Sequence, residues 1–212
     1  LIFTYHLQRA APMHTPAFRP LHVASIIAYN EPMPDKPLLH GERLTLRPLV
    51  ESDARNIFQS LSEQGTMRLT GTFETFTFEQ VEVYCARVAA AENRADYIIT
   101  LSNSGTFIGE AVINDINWHN RSAHYRIAIS ENYVDQGYGS EATKLMMAYA
   151  FNTLGLHRIE LEVYTFNPRA RHVYEKIGFV AEGELRDVLF MDGEFHSATV
   201  MSLLEHEFKA TP

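Results

Sequence analysis

The chain has 212 residues, 46% of them hydrophobic and 21% charged, a size and composition that suit one soluble globular domain with a sizeable core. Its formal net charge of -8 argues against nucleic acid as the main partner, because a phosphate backbone demands basic patches, and no apolar run reaches the roughly 18 residues of a membrane helix. The single cysteine, Cys85, excludes an internal disulfide and fits a reducing cytoplasm, and the ten histidines show no metal-ligand spacing.

Six of the nine prolines fall within the first 37 residues. Residues 1–32 have no sustained periodicity and no signal-peptide pattern, so they are expected to be a flexible or non-native extension ahead of a domain spanning 33–212. Leu44 to Leu49 reads as a short strand. Ser52 and Asp53 cap a helix running to Leu61, and Glu79 to Asn93 forms a second one. In the latter, Val81, Tyr84, Cys85 and Val88 share a face, which makes Cys85 a packed core thiol and not a nucleophile. Tyr97 to Leu101 and Thr106 to Ile113 are strands around the turn Asn103-Ser104-Gly105, and Ala123 to Ser130 is the next strand. Gly139 to Leu154 reads as a helix with Ala142, Leu145, Met146, Tyr149 and Thr153 inward and Gly155 as its stop. Arg158 to Val163 is a strand and Pro168 to Ile177 a helix. Asp192-Gly193 makes a hairpin turn between strands at about Glu184 to Met191 and Glu194 to Leu204.

Two stretches carry chemistry. Val134 to Ala142 reads VDQGYGSEA, a Gly-x-Gly where a strand gives way to a helix. Glycines let successive N–H groups converge without a Cβ in the way. The first turn of a helix adds unpartnered N–H groups and the positive dipole end. The backbone of Gln136, Gly137, Tyr138, Gly139 and Ser140 is thus suited to a phosphate or pyrophosphate. About thirty residues on, Asn167 to Phe179 reads NPRARHVYEKIGF. Asn167 is a good N-cap, Pro168 fits the first helical position, Ala170, Val173, Tyr174 and Ile177 share a face, and Gly178 ends the helix.

This pairing of motifs resembles the GNAT superfamily of N-acetyltransferases. The resemblance extends from about Leu44 to Phe208. Ile116 to Ser130 and Glu182 to Met201 are most similar to the branch holding spermidine N-acetyltransferase and the ribosomal-protein N-terminal acetyltransferases. One departure is Val134, where the family carries Arg or Gln. The contacts there are mostly backbone, so binding is expected to survive. The resemblance implies an α/β fold with a single GNAT-like domain, a central twisted mixed sheet with helices on both faces. It implies acetyl-CoA as cosubstrate, bound at Gln136–Ser140, at Ile127, Ala128 and Ile129, and at Asn167, Ala170 and Tyr174. It also implies Tyr174 as the acid that protonates the departing thiolate, and backbone donors on Tyr125–Ser130 for the oxyanion. Glu74, following Met67-Arg68, falls where spermidine acetyltransferases hold an acidic substrate-contacting segment. Ser197 stands where many relatives carry an acidic residue.

Three further candidates come from strand alternation. Glu110 alternates with Ile108 and Val112, placing a carboxylate on an apolar face. It is either a general base or a paired structural glutamate. Glu160 and Glu162 share one face of their strand, lining an acceptor cleft or meeting solvent. Together these carboxylates suggest a cationic acceptor: a polyamine, another small amine or a protein N-terminal amine. The alternative is a non-catalytic acyl-CoA-binding sensor of the same fold, disfavoured by the presence of Tyr174 and both glycines. No metal is called for, and self-association into a homo-oligomer is left open.

Overall fold

The computed structural model describes residues 34–209, so the expectation for residues 1–32 lies outside the described residues. Among these residues eight strands form one sheet in the order β1-β2-β3-β4-β5-β6-β8-β7. They are β1 (Leu39–His40), β2 (Leu44–Pro48), β3 (Ala95–Leu101), β4 (Phe107–Asn117), β5 (Ser122–Ile129), β6 (Arg158–Tyr164), β7 (Val180–Met191) and β8 (Glu194–Leu204). Among the described residues five α-helices accompany them: α1 (Ala54–Ser60), α2 (Gln64–Thr70), α3 (Phe78–Ala89), α4 (Tyr138–Ala148) and α5 (Pro168–Ile177). Every neighbouring strand pair is antiparallel except β5 and β6, which run parallel.

Side-chain alternation gives the sheet two covered faces. Leu44, Leu46, Tyr97, Ile99 and Tyr125 pack with Met146 and Met147 of α4 and Ile177 of α5. Ile98, one residue out of step, joins Ile57 of α1 and Val81, Cys85 and Val88 of α3 on the other face. Cys85 is fully buried there, and burial pushes its thiol up to about 12, so it is a core residue.

The local reasons for these elements are visible. Thr77 caps α3 and Gln80 reciprocates in a capping box. Asn167 Oδ1 accepts from the Ala170 N–H at 3.1 Å, Pro168 occupies the first position of α5, and Gly178 ends it at φ 117°. Asp192 and Gly193 both have positive φ, as the two-residue hairpin turn requires.

Three expectations are corrected. Asp53 does not cap α1: its carboxylate accepts two bonds from Arg47 (2.5 and 2.7 Å) and one from the Val50 N–H (3.0 Å). The long helix ends in a wider turn at Tyr149–Thr153, where Leu154 N–H reaches back to Tyr149 C=O. That extra residue rotates the buried stripe, so Thr153 is exposed while Ala150, Phe151 and Leu154 face the core. The third is an omission: α2 is a helix in a stretch where the sequence reading placed no element.

Candidate active site

The defining feature lies between β5 and β6. These strands pair only at Ser122↔Arg158, Ala123↔Ile159 and His124↔Glu160. Beyond His124 they diverge, so Tyr125–Ile129 keeps its bonds to β4 but has no strand partner on the other side. A cavity of about 340 Å³ occupies the gap.

Alternation along β5 sends Tyr125, Ile127 and Ile129 to the α4–α5 face and Arg126 and Ala128 to the α1–α3 face. The cavity therefore passes through the sheet, and residues of both faces line it.

On the α4–α5 side the wall is mostly backbone. The N-cap of α4 is Gly137, at φ 80°, a left-handed conformation that disfavours any side chain. Gly139 is different. A Cβ there would meet only Ile129 Cγ1 at 3.7 Å, an ordinary contact, so the fold itself does not require glycine. A helix N-terminus that the protein leaves uncrowded fits a bulky anion pressed against the backbone. The turn is held by Arg43, which donates to Gln136 O (2.9 Å) and Glu141 Oε2 (3.0 Å) and lies 4.6 Å over the Tyr138 ring. Glu141 Oε1 accepts from the backbone N–H of Arg43 (2.8 Å) and of Leu44 (3.1 Å). Tyr174 reaches the cavity from α5 at 8% exposure. Burial pushes its hydroxyl up to about 12, so it stays a neutral proton donor at physiological pH.

The α1–α3 side is made of side chains. Glu110, 7% exposed, accepts from Arg126 Nη1 at 3.1 Å. Arg126 Nη2 donates to the Tyr84 hydroxyl (3.1 Å), which also receives Arg94 Nη2 (3.1 Å), and Arg94 clasps Asp96 with two 2.6 Å bonds. A network of two ion pairs joined through the Tyr84 hydroxyl thus runs from the cavity into the α3 interface. The second oxygen of Glu110, Oε2, is buried with no hydrogen-bond partner among the described residues.

Of the sequence candidates, Ile127, Ala128, Ile129, Gly137, Tyr138, Gly139 and Ser140 line the cavity. So do Asn167, Ala170, Tyr174, Glu110 and Glu162. Gln136 does not; its carbonyl is engaged by Arg43. Glu74 lies beyond α2 and outside the lining, and Glu160 is held by Arg158 at 2.6 Å. The alternation of β5 gave no hint of Arg126, and Arg43 lies just ahead of β2, outside any strand pattern. No group of three or more metal-ligating side chains occurs among the described residues. No helix among them is long and apolar enough to cross a membrane.

Residues 43–180 match the family model described as an acetyltransferase (GNAT) domain. The chain belongs to the GNAT acetyltransferase family. It is 30% identical over 167 residues to the spermidine N(1)-acetyltransferase of Escherichia coli strain K12, covering 78% of this chain and 88% of that protein. It is 29% identical over 170 residues to the Vibrio cholerae spermidine N(1)-acetyltransferase, covering 79% and 96%. A solved structure of the Vibrio cholerae spermidine N-acetyltransferase, in complex with CoA and spermine, superposes with a TM-score of 0.75 at 27% identity, over 79% of this chain and 98% of that one. The expected fold is therefore borne out, an α/β GNAT fold with an eight-stranded mixed sheet, and the protein is an N-acetyltransferase that takes acetyl-CoA as cosubstrate.

Proposed function

We propose that the protein transfers the acetyl group of acetyl-CoA directly to a primary amine in a ternary complex. The observation that carries this reading is the divergence of β5 from β6. It exposes strand N–H and C=O groups inside the protein, where an unpaired backbone is costly unless a ligand completes it. The amide-bearing arm of CoA is such a ligand, and the N-terminus of α4 lies where its pyrophosphate would end.

In this reading the amine nitrogen attacks the acetyl carbonyl carbon, a C–N bond forms and the C–S bond breaks. Glu110 Oε2, the carboxylate oxygen without a partner, takes the proton that the amine loses. N–H groups of Ile127–Ile129 stabilise the oxyanion. Tyr174 gives its proton to the leaving thiolate. Relatives named for spermidine support an amine as the acceptor.

The test is release of CoA thiol and detection of the acetylated amine by mass spectrometry, with both substrates varied. Amine-dependent thiol release with intersecting initial-rate lines is expected. Tight acetyl-CoA binding without thiol release, across a broad set of amines, would instead indicate a non-catalytic sensor.

A further inference from the structure

The α1–α3 side of the cavity is the one open to an acceptor, and it is roofed. Helix α2 crosses the gap between β5 and β6. At its start Gly65 N–H donates to the Glu131 carboxylate, and the Glu131 N–H donates to Glu63 Oε2 at 3.0 Å. At its end Arg68 pairs with Asp192 of the β7–β8 turn and lies 5.7 Å over the Phe166 ring. Gly71, at φ 64°, lies so close to Tyr164 of β6 that a Cβ would fall 2.5 Å from the phenol oxygen. These contacts join the two walls of the cleft above the chamber.

The chamber's charge is nearly balanced. Among the described residues, the carboxylates lining this side are Glu110 and Glu162. Arg126 lies against Glu110 at 3.1 Å. Glu162 has no cationic partner among the described residues, so the wall complements one positive charge. The sequence expectation counted four carboxylates, but Glu74 and Glu160 do not line the cavity.

The remaining polar groups on this side are the hydroxyls of α2 and the turn after it, together with those of Ser60 and Tyr164. Thr66 Oγ1 donates to Glu63 (2.8 Å), Thr70 Oγ1 donates to the Thr66 carbonyl (2.9 Å), and Thr72 Oγ1 lies 2.9 Å from Thr70 Oγ1. With the Thr66 and Thr70 protons used inside the segment, both hydroxyls offer lone pairs to a ligand, not protons. Such a wall suits hydroxyl and amide groups, which can donate to the threonines and accept from Ser60 or Tyr164.

We infer that the acceptor is a compact amine with one positive charge and a hydroxyl- or amide-bearing body, in preference to a polyamine or a protein N-terminus. This rests on the acetyltransferase reading and narrows it. A triamine brings charges that the wall does not match, which leaves desolvated ammonium groups unpaired. A protein terminus would have to enter beneath a roof tied at both ends.

The test uses the full chain with acetyl-CoA and three groups of acceptors. These are ethanolamine, serinol, glucosamine and threonine amide; spermidine; and a tetrapeptide with a free N-terminus. The best compact amine is expected to exceed both others in kcat/KM by about tenfold or more. Glu162→Gln should raise KM for that amine several-fold with little change in kcat. Spermidine or the peptide equalling the best compact amine overturns the inference and leaves the transferase reading intact. An unchanged KM in Glu162→Gln also overturns it. No turnover with any acceptor overturns both.

Discussion

The two sides of the cleft are built from different materials. Toward α4 and α5 the wall is main chain: the open edge of β5 and the N-terminus of α4 behind Gly137. Toward α1 to α3 it is side chain: Glu110, Arg126, Glu162 and the threonines of the roof. A backbone wall recognises what a whole family shares, because its donors do not change when residues do. A side-chain wall can be rewritten residue by residue. A shared donor and an individual acceptor follow from that division, and each half can be tested by changing atoms that the other half does not use.

The largest effect is expected at Tyr174, the one side chain on the donor side with a chemical task. Tyr174→Phe removes a hydroxyl and keeps the ring against Phe179, 5.7 Å away. Turnover should fall by about 10²–10⁴-fold while calorimetric affinity for acetyl-CoA changes little. A kcat within a factor of about two of the parent, with chemistry rate-limiting, would reduce Tyr174 to a core aromatic. Its raised pKa of about 12 fixes the sign of the pH response. The hydroxyl keeps its proton as pH rises past 10, so any alkaline loss of kcat below about pH 11 must arise from another group.

Next comes Arg126, on the acceptor side. Arg126→Met leaves Glu110 buried beside a missing counter-charge, and removing one partner of a buried pair costs about 3–5 kcal/mol. Urea denaturation should show it. The double variant with Glu110→Gln should recover much of the loss, because the orphaned charge goes with it. Equal destabilisation in single and double variants would show that Arg126 acts by packing alone.

The smallest and sharpest test is Gly139→Ala. The protein leaves room for the methyl, and alanine within a helix is favoured over glycine by about 0.5–1 kcal/mol. Thermal stability should hold or rise slightly while acetyl-CoA binds several-fold more weakly. Unchanged affinity would mean that the anion does not approach this turn.

What the sequence revealed follows the same division. The turn at Gly137 and the helix from Asn167 to Gly178 are local structures whose caps, glycines and proline are adjacent in the chain, so both were legible. The strand Tyr125–Ile129 was legible as a strand. Its separation from β6 was not, because an open and a paired strand want the same alternating side chains. Glu110 was legible as an oddity on an apolar face, but not its pairing, since Arg126 is simply a polar residue in an alternating strand until the register Val112↔Arg126 sets it beside Glu110. Helix α2 was missed because a seven-residue segment with Gly65 and two threonines has little propensity. It is held by Glu131, Asp192 and Tyr164, at distances of 66 to 124 residues along the chain from their contacts for the first two. Glu74 and Glu160 lie off the cavity lining, because a carboxylate's place along the chain says nothing of where the cleft will open.

The short parallel pairing of β5 with β6 has one more consequence. Three residue pairs join a block of five strands to a block of three, so a short hinge line runs between the fifth and sixth strands of the sheet. A donor seated along Tyr125–Ile129 and reaching the β6 edge would act as a crossbar over that hinge, stiffening the molecule as a whole. Amide exchange should report this as slower opening not only along β5 but also across β6 and β8, far from any atom the donor touches.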